Sequence, residues 1–138
     1  MANTVCTTFK SELLKGDHDF SSDTFKIALY TSSATSLADY TIYAVTNEAS
    51  GTGYSAGGIA LSGGTVALSG TTAYVDFTTN AEFTSVTITA RYALIYNTSA
   101  SNKACFFLDF GGNKTATNGT FTIVFPAAGA SALLTLTG

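Results

Sequence analysis

Val86-Thr87-Ile88-Thr89-Ala90-Arg91-Tyr92-Ala93-Leu94-Ile95-Tyr96-Asn97 alternates along its whole length. In an extended chain Val86, Ile88, Ala90, Tyr92, Leu94 and Tyr96 fall on one side, and Thr87, Thr89, Arg91, Ala93 and Ile95 on the other. Successive side chains of a strand point to opposite faces, so this period predicts a long β-strand. Its β-branched and aromatic residues fit a pleated surface better than a helix.

Working outward, 97–102 reads as a polar turn and Lys103 to Phe110 as a returning strand, with Phe106, Leu108 and Phe110 on one face. Gly111-Gly112-Asn113 and Asn118-Gly119 read as turns. Phe121, Ile123 and Phe125 form a strand that ends at Pro126, which has no N–H to donate. Leu133 to Thr137 closes the chain as a last strand. Upstream, Phe25, Ile27 and Leu29 alternate with Lys26, Ala28 and Tyr30, again a strand. Another starts at Ile59 to Leu61. Val66 and Leu68, then Ala73, Val75 and Phe77, predict a hairpin around Ser69-Gly70.

The only helix expected lies near residues 4–15. Asn3 or Thr4 caps its start, Val5, Cys6, Phe9 and Leu13 make its apolar stripe, and Gly16 stops it. Short strands separated by Gly and Asn predict one all-β domain over 1–138. Its expected form is an antiparallel β-sandwich, jelly-roll or immunoglobulin-like, of about eight strands with one short N-terminal helix.

Composition narrows the function classes. The 138 residues are 46% hydrophobic and 11% charged, with one His, one Pro and no Trp. Such a chain can bury a core, and it offers few titratable groups to converge on a substrate. Net charge is -3, and Lys10, Lys15, Lys26, Arg91, Lys103 and Lys114 are scattered, which argues against a nucleic-acid partner. No apolar run approaches the roughly 20 residues of a membrane span, and the N-terminus lacks a secretory pattern. Cys6 and Cys105 are expected as buried thiols. The glycosylation-like triplets at Asn97, Asn113 and Asn118 read as polar loops.

Asp17-His18-Asp19 gathers the only potential metal ligands, but neighbouring side chains rarely converge on one ion. The simpler expectation is a solvated turn, and no metal or cofactor is assigned. Gly51 to Gly58 superficially resembles a phosphate loop without its Lys and its following helix, so its glycines are read as serving a tight turn. Asp76, on the face opposite Val75 and Phe77, reads as a solvated acid. Asp76, Glu82 and Asp109 do not by themselves define a carboxylate pair for glycoside cleavage, and no Gly-x-Ser-x-Gly elbow occurs. No catalytic residue is assigned.

Among the seven tyrosines, Tyr40, Tyr43 and Tyr54 sit in the long polar segment 32–58. Exposed rings there would suit a protein interface or, as an alternative of another class, a carbohydrate-binding module.

Several segments in succession resemble a family of small structural proteins of tailed bacteriophages. They are 18–20 (His-Asp-Phe), 23–31 (Asp-Thr-Phe-Lys-Ile-Ala-Leu-Tyr-Thr), Asn47-Glu48, 51–54 with 56–58, 90–97, 108–112 and 121–126. Order and spacing agree from about residue 17 onward. Each segment is unspecific alone; their succession is the signal. The resemblance implies a non-enzymatic virion protein, assembled in the host cytoplasm. Its role would be capsid decoration (cement), with the major capsid protein and itself as partners, a homotrimer on threefold axes being one form. A tail-associated or adsorption protein is the alternative. The polar segment 78–84 departs from the family's Trp-containing pattern, so no contact is carried over there. Phe9 and Leu13 of the helix and Tyr40, Tyr43 and Tyr54 of the loop are the expected partner contacts.

Overall fold

The computed structural model describes residues 2–129 and 132–137. Among these residues are two antiparallel sheets, one α-helix and two short 3-10 turns: β1 (Ala2–Val5), α1 (Thr7–Leu14), β2 (Phe25–Tyr30), β3 (Ile59–Ala60), β4 (Gly64–Ser69), β5 (Thr72–Phe77), β6 (Ala81–Asn97), β7 (Lys103–Ile123) and β8 (Leu134–Leu136). The larger sheet has the order β1-β7-β6-β2-β3 and the smaller one β4-β5-β8. The chain is all-β and sandwich-like.

β6 is the spine, as its alternation predicted. It pairs with β2 over 92–97 and with β7 along its whole length. Beyond the reach of β1 and β2 the two long strands continue as a twin-stranded arm, Ala81–Ala90 against Lys114–Ile123. There one face is buried through Phe83, Val86, Ile88, Phe121 and Ile123, while Thr84, Thr89, Thr115 and Thr122 are exposed.

The turn expected at Gly111-Gly112-Asn113 is instead an irregularity inside one continuous β7. The register opposite β6 jumps between Ala90/Lys114 and Tyr92/Asp109, so 110–113 bulge out opposite Arg91. Gly111 takes φ +83° there, and its N–H donates to Asp109 Oδ1 at 2.8 Å. Arg91 Nε donates to the same oxygen at 3.2 Å. Turn-forming residues also build bulges, and local sequence does not separate the two.

The N-terminus differs from expectation in a second way. Residues 2–5 form an edge strand on β7, and the helix begins only at Thr7 after Cys6, whose side chain makes no capping bond. Val5 therefore belongs to the sheet: pairing with Phe106 outweighs a weak local helix signal. The helix end is as expected. Gly16 (φ +81°) donates to Leu13 O at 3.2 Å and Asp17 N to Glu12 O at 2.9 Å, a Schellman ending.

Both faces of the central sheet are covered. Phe25, Phe106 and Leu108 face α1 and the smaller sheet, where Phe9, Phe20 and Phe77 pack; Phe20 and Phe25 stack at 4.3 Å. On the opposite face Tyr30, Leu94, Tyr96 and Phe107 lie under the 32–58 segment. Tyr40 meets Phe107 edge-on at 4.9 Å and Tyr43 stacks on Tyr96 at 4.8 Å. The long loop is thus a packing layer of the fold.

Candidate functional site

Helix α1 and the smaller sheet enclose an apolar groove of about 630 Å³, lined chiefly by Val5, Phe9, Leu13, Leu14, Val66 and Leu136. The β-sheet side follows from register. Val66, Val75 and Leu134 form one row across β4-β5-β8, and Leu68, Ala73 and Leu136 the next. Val75 is buried near Phe77, whereas Val66, Leu68 and Leu136 are exposed, as is Leu14 across the groove at 85%. Exposed apolar side chains gathered around one groove mark a contact surface.

His18 also belongs to the groove wall, but its side chain is fully inaccessible. This overturns the solvated turn read from the sequence. The Schellman ending of α1 folds the chain back, so that His18 Nε2 meets Glu12 Oε1 at 3.0 Å. Asn97 Nδ2 donates to His18 Nδ1 at 3.0 Å and to Asp23 Oδ2 at 2.8 Å, while Asn97 Oδ1 accepts from Ser99 N. These partners fix the Asn97 amide, so Nδ1 is the acceptor and Nε2–H donates to Glu12. The two neighbouring acids diverge from the ring. Asp17 meets Lys103 at 3.5 Å, and Asp19 is capped by Ser21 and Ser22. Among the described residues no group of three His, Cys, Asp or Glu side chains is placed to hold a metal.

Cys105 Sγ lies 3.9 Å from His18 Nδ1, which superficially resembles a nucleophile beside its base. Reactive cysteines are accessible and have lowered pKa values. Here burial pushes the Cys105 thiol up, and it pushes Cys6 up to about 12, with the Glu12 charge adding to both. Both are buried free thiols, as the sequence suggested. Their backbones meet, Cys6 N donating to Cys105 O at 3.0 Å, but the sulfurs turn to different partners. Cys6 faces Leu37 O at 3.6 Å and Cys105 faces His18.

The five expected contact residues divide. Phe9 is 1% exposed, packed against His18, Phe20 and Phe106, so it is not a surface contact. Its place in the helical stripe sends it inward. Leu13 is half-buried and lines the groove. Tyr40, Tyr43 and Tyr54 are half-buried and engaged within the fold. Glu48 gathers the loop: Tyr43 OH donates to its Oε1 at 2.6 Å, and Tyr54 OH and Gly57 N donate to its Oε2, each at 2.8 Å. Tyr54 OH also accepts from Leu29 N. The sequence assigns no site role to Glu12, Glu48 or Asn97. Glu48 carried a signal, being the only charged residue between Tyr40 and Gly58. Asp76 was read as solvated, yet it is buried, accepts from Phe77 N at 2.9 Å, and has its carboxyl raised by burial.

These tyrosines make stability fall in alkali. Burial raises Tyr30, Tyr43 and Tyr54 above the ordinary 10.0 and moves Tyr96 up to about 12; the Glu48 carboxylate adds to each shift. In the unfolded chain they lose protons first, so their contribution is complete below pH about 10 and is lost as pH rises through the folded values. A titration at 295 nm alongside circular dichroism is expected to show these four ionising only as the fold is lost. Complete tyrosinate formation near pH 10 with an unchanged spectrum would contradict that placement.

Compared with protein-family models, curated proteins and solved structures, the chain matches none.

Proposed function

We propose that this chain is a non-enzymatic bacteriophage virion protein, a capsid decoration (cement) protein that binds and stabilises the outer surface of the major capsid protein lattice. The observation that carries the proposal is the ordered succession of segments from His18 to Pro126, which resembles small virion proteins of tailed phages. Two structural features support it. The groups that could do chemistry, His18 and Cys105, are committed inside the fold, and three exposed apolar residues, Leu14, Val66 and Leu136, line one groove. Leu13 and Leu14 on that groove are the side chains proposed to meet the lattice. A weak contact of this kind repeated over a shell gains strength through avidity. The loop tyrosines, with Tyr43 and Tyr54 held by Glu48, are poorly disposed to stack on sugars, so the carbohydrate-binding alternative loses its platform.

The test is the copy number of this chain per purified virion, measured by quantitative mass spectrometry against the major capsid protein. A number comparable to the capsid protein is expected. A handful of copies would place the chain in the tail or at a unique vertex and overturn the cement role. Absence from the virion would overturn the proposal altogether.

A further inference from the structure

We propose that the free edge of β4 pairs with β4 of a second copy, joining the two small sheets into one across a twofold axis. This rests on the strand edge and not on the virion reading. Among the described residues, Gly64–Ser69 is hydrogen-bonded on one side only, to β5. An open strand edge is a template for another strand, and proteins block such edges by shortness, bulges, charges, Pro or a covering segment.

The other open edges are protected in these ways; the outer edge of β7 beyond β1, over 110–123, is broken by bulges at 110–113 and 117–118 and carries Lys114. β3 has two residues and β8 three. β1 has four, and Asn3 Nδ2 reaches from it to Leu133 O. The edge of β2 before β3 is occupied by the loop, with Thr31 N donating to Asn47 O and Ala49 N to Leu29 O. β4 has none of these devices. It is six residues long, its register with β5 is regular from Gly64↔Phe77 to Ser69↔Thr72, and Gly-Thr-Val-Ala-Leu-Ser contains no charge and no Pro.

Symmetry selects the occupant. An antiparallel pair of identical strands is self-complementary about a twofold axis. Centred on Ala67, the pairing sets Val66 opposite Leu68 of the second copy and Leu68 opposite its Val66. These residues share a face, because side chains two apart do. They are the most exposed apolar side chains of the strand, at 52% and 75%. The register that completes the backbone ladder therefore also brings together apolar groups that the monomer leaves in water. The two apolar rows of each small sheet, Val66-Val75-Leu134 and Leu68-Ala73-Leu136, then run on into those of its mate.

The experiment is sedimentation velocity on the full chain across a dilution series up to about 100 μM, where a dimer of micromolar Kd is mostly assembled. A concentration-dependent dimer is expected. Leu68→Lys and, separately, Val66→Lys should give a monomer, since each places like charges near the shared axis; both sites are exposed, so circular dichroism should remain native. Leu14→Lys, also exposed but off the strand, should remain dimeric. A wild-type monomer throughout the series, a trimer, or a dimer that persists in both β4 variants would overturn the proposal.

Discussion

Gly58→Ala is expected to destabilise the fold by at least about 3 kcal/mol, beyond the usual effect of a point substitution. Gly58 has φ +76°, and a Cβ there would overlap the Ile27 carbonyl oxygen while standing 2.6 Å from Ile27 C and 2.8 Å from Ala28 Cα. Ile27 and Ala28 lie in β2, paired with Ile95 and Leu94 of β6, so they cannot withdraw without opening the main sheet. Gly70→Ala is the control. Gly70 also has positive φ (+60°), but nothing lies within 4 Å of the added carbon, so only the backbone strain of about 1 kcal/mol remains. Urea unfolding of both variants separates the two costs. Equal losses would show that the close approach of Gly58 to β2 carries no weight. Gly51, Gly53 and Gly58 thus serve backbone approach, since Gly51 and Gly53 meet the Thr87 and Ser85 carbonyls of β6 in the same way.

The second large effect is expected at His18. His18→Ala removes a buried ring that packs on Phe9 at 4.9 Å and bridges Glu12 to Asn97. The variant leaves a cavity under α1 and takes from the Glu12 carboxylate its 3.0 Å partner, leaving Lys103 at 3.9 Å. Cavity and unpaired polar group together are expected to cost about 3–5 kcal/mol. His18→Gln, with an amide able to donate to Glu12 and accept from Asn97, should recover part of that loss. Thermal or urea unfolding reads both. A loss under about 1 kcal/mol in His18→Ala would mean that the ring is solvated, as its Asp-His-Asp setting first suggested.

The regular parts of the fold were legible because they obey a local rule. Alternation located β2, β6 and the β4–β5 hairpin, and β8 falls within the strand expected at Leu133 to Thr137. The hairpin turn is Gly70-Thr71 with only Gly70 at positive φ, as a two-residue loop beginning with Gly allows. Gly16 ended the helix for a similarly local reason. Misreadings occurred where a partner distant in sequence decides. Residues 2–5 had helical neighbours but found the edge of β7. Gly111 and Gly112 had the character of a turn but sit in a bulge, because β6 stays paired with β7 past them, from Ala90 to Ala81.

For the site, sequence determined the supply and tertiary structure decided the use. The sequence alone supplied one histidine, few charges, two cysteines and enough alternating apolar residues for two sheets. Only the folded arrangement turned His18 inward, gave Glu48 the hydroxyls of Tyr43 and Tyr54, buried Phe9, and left Leu14, Val66, Leu68 and Leu136 in water. The division has a physical reason. Strand period and helix stops depend on backbone sterics within a few residues, whereas burial and hydrogen-bond partnership depend on which surfaces are left once the sheets have formed.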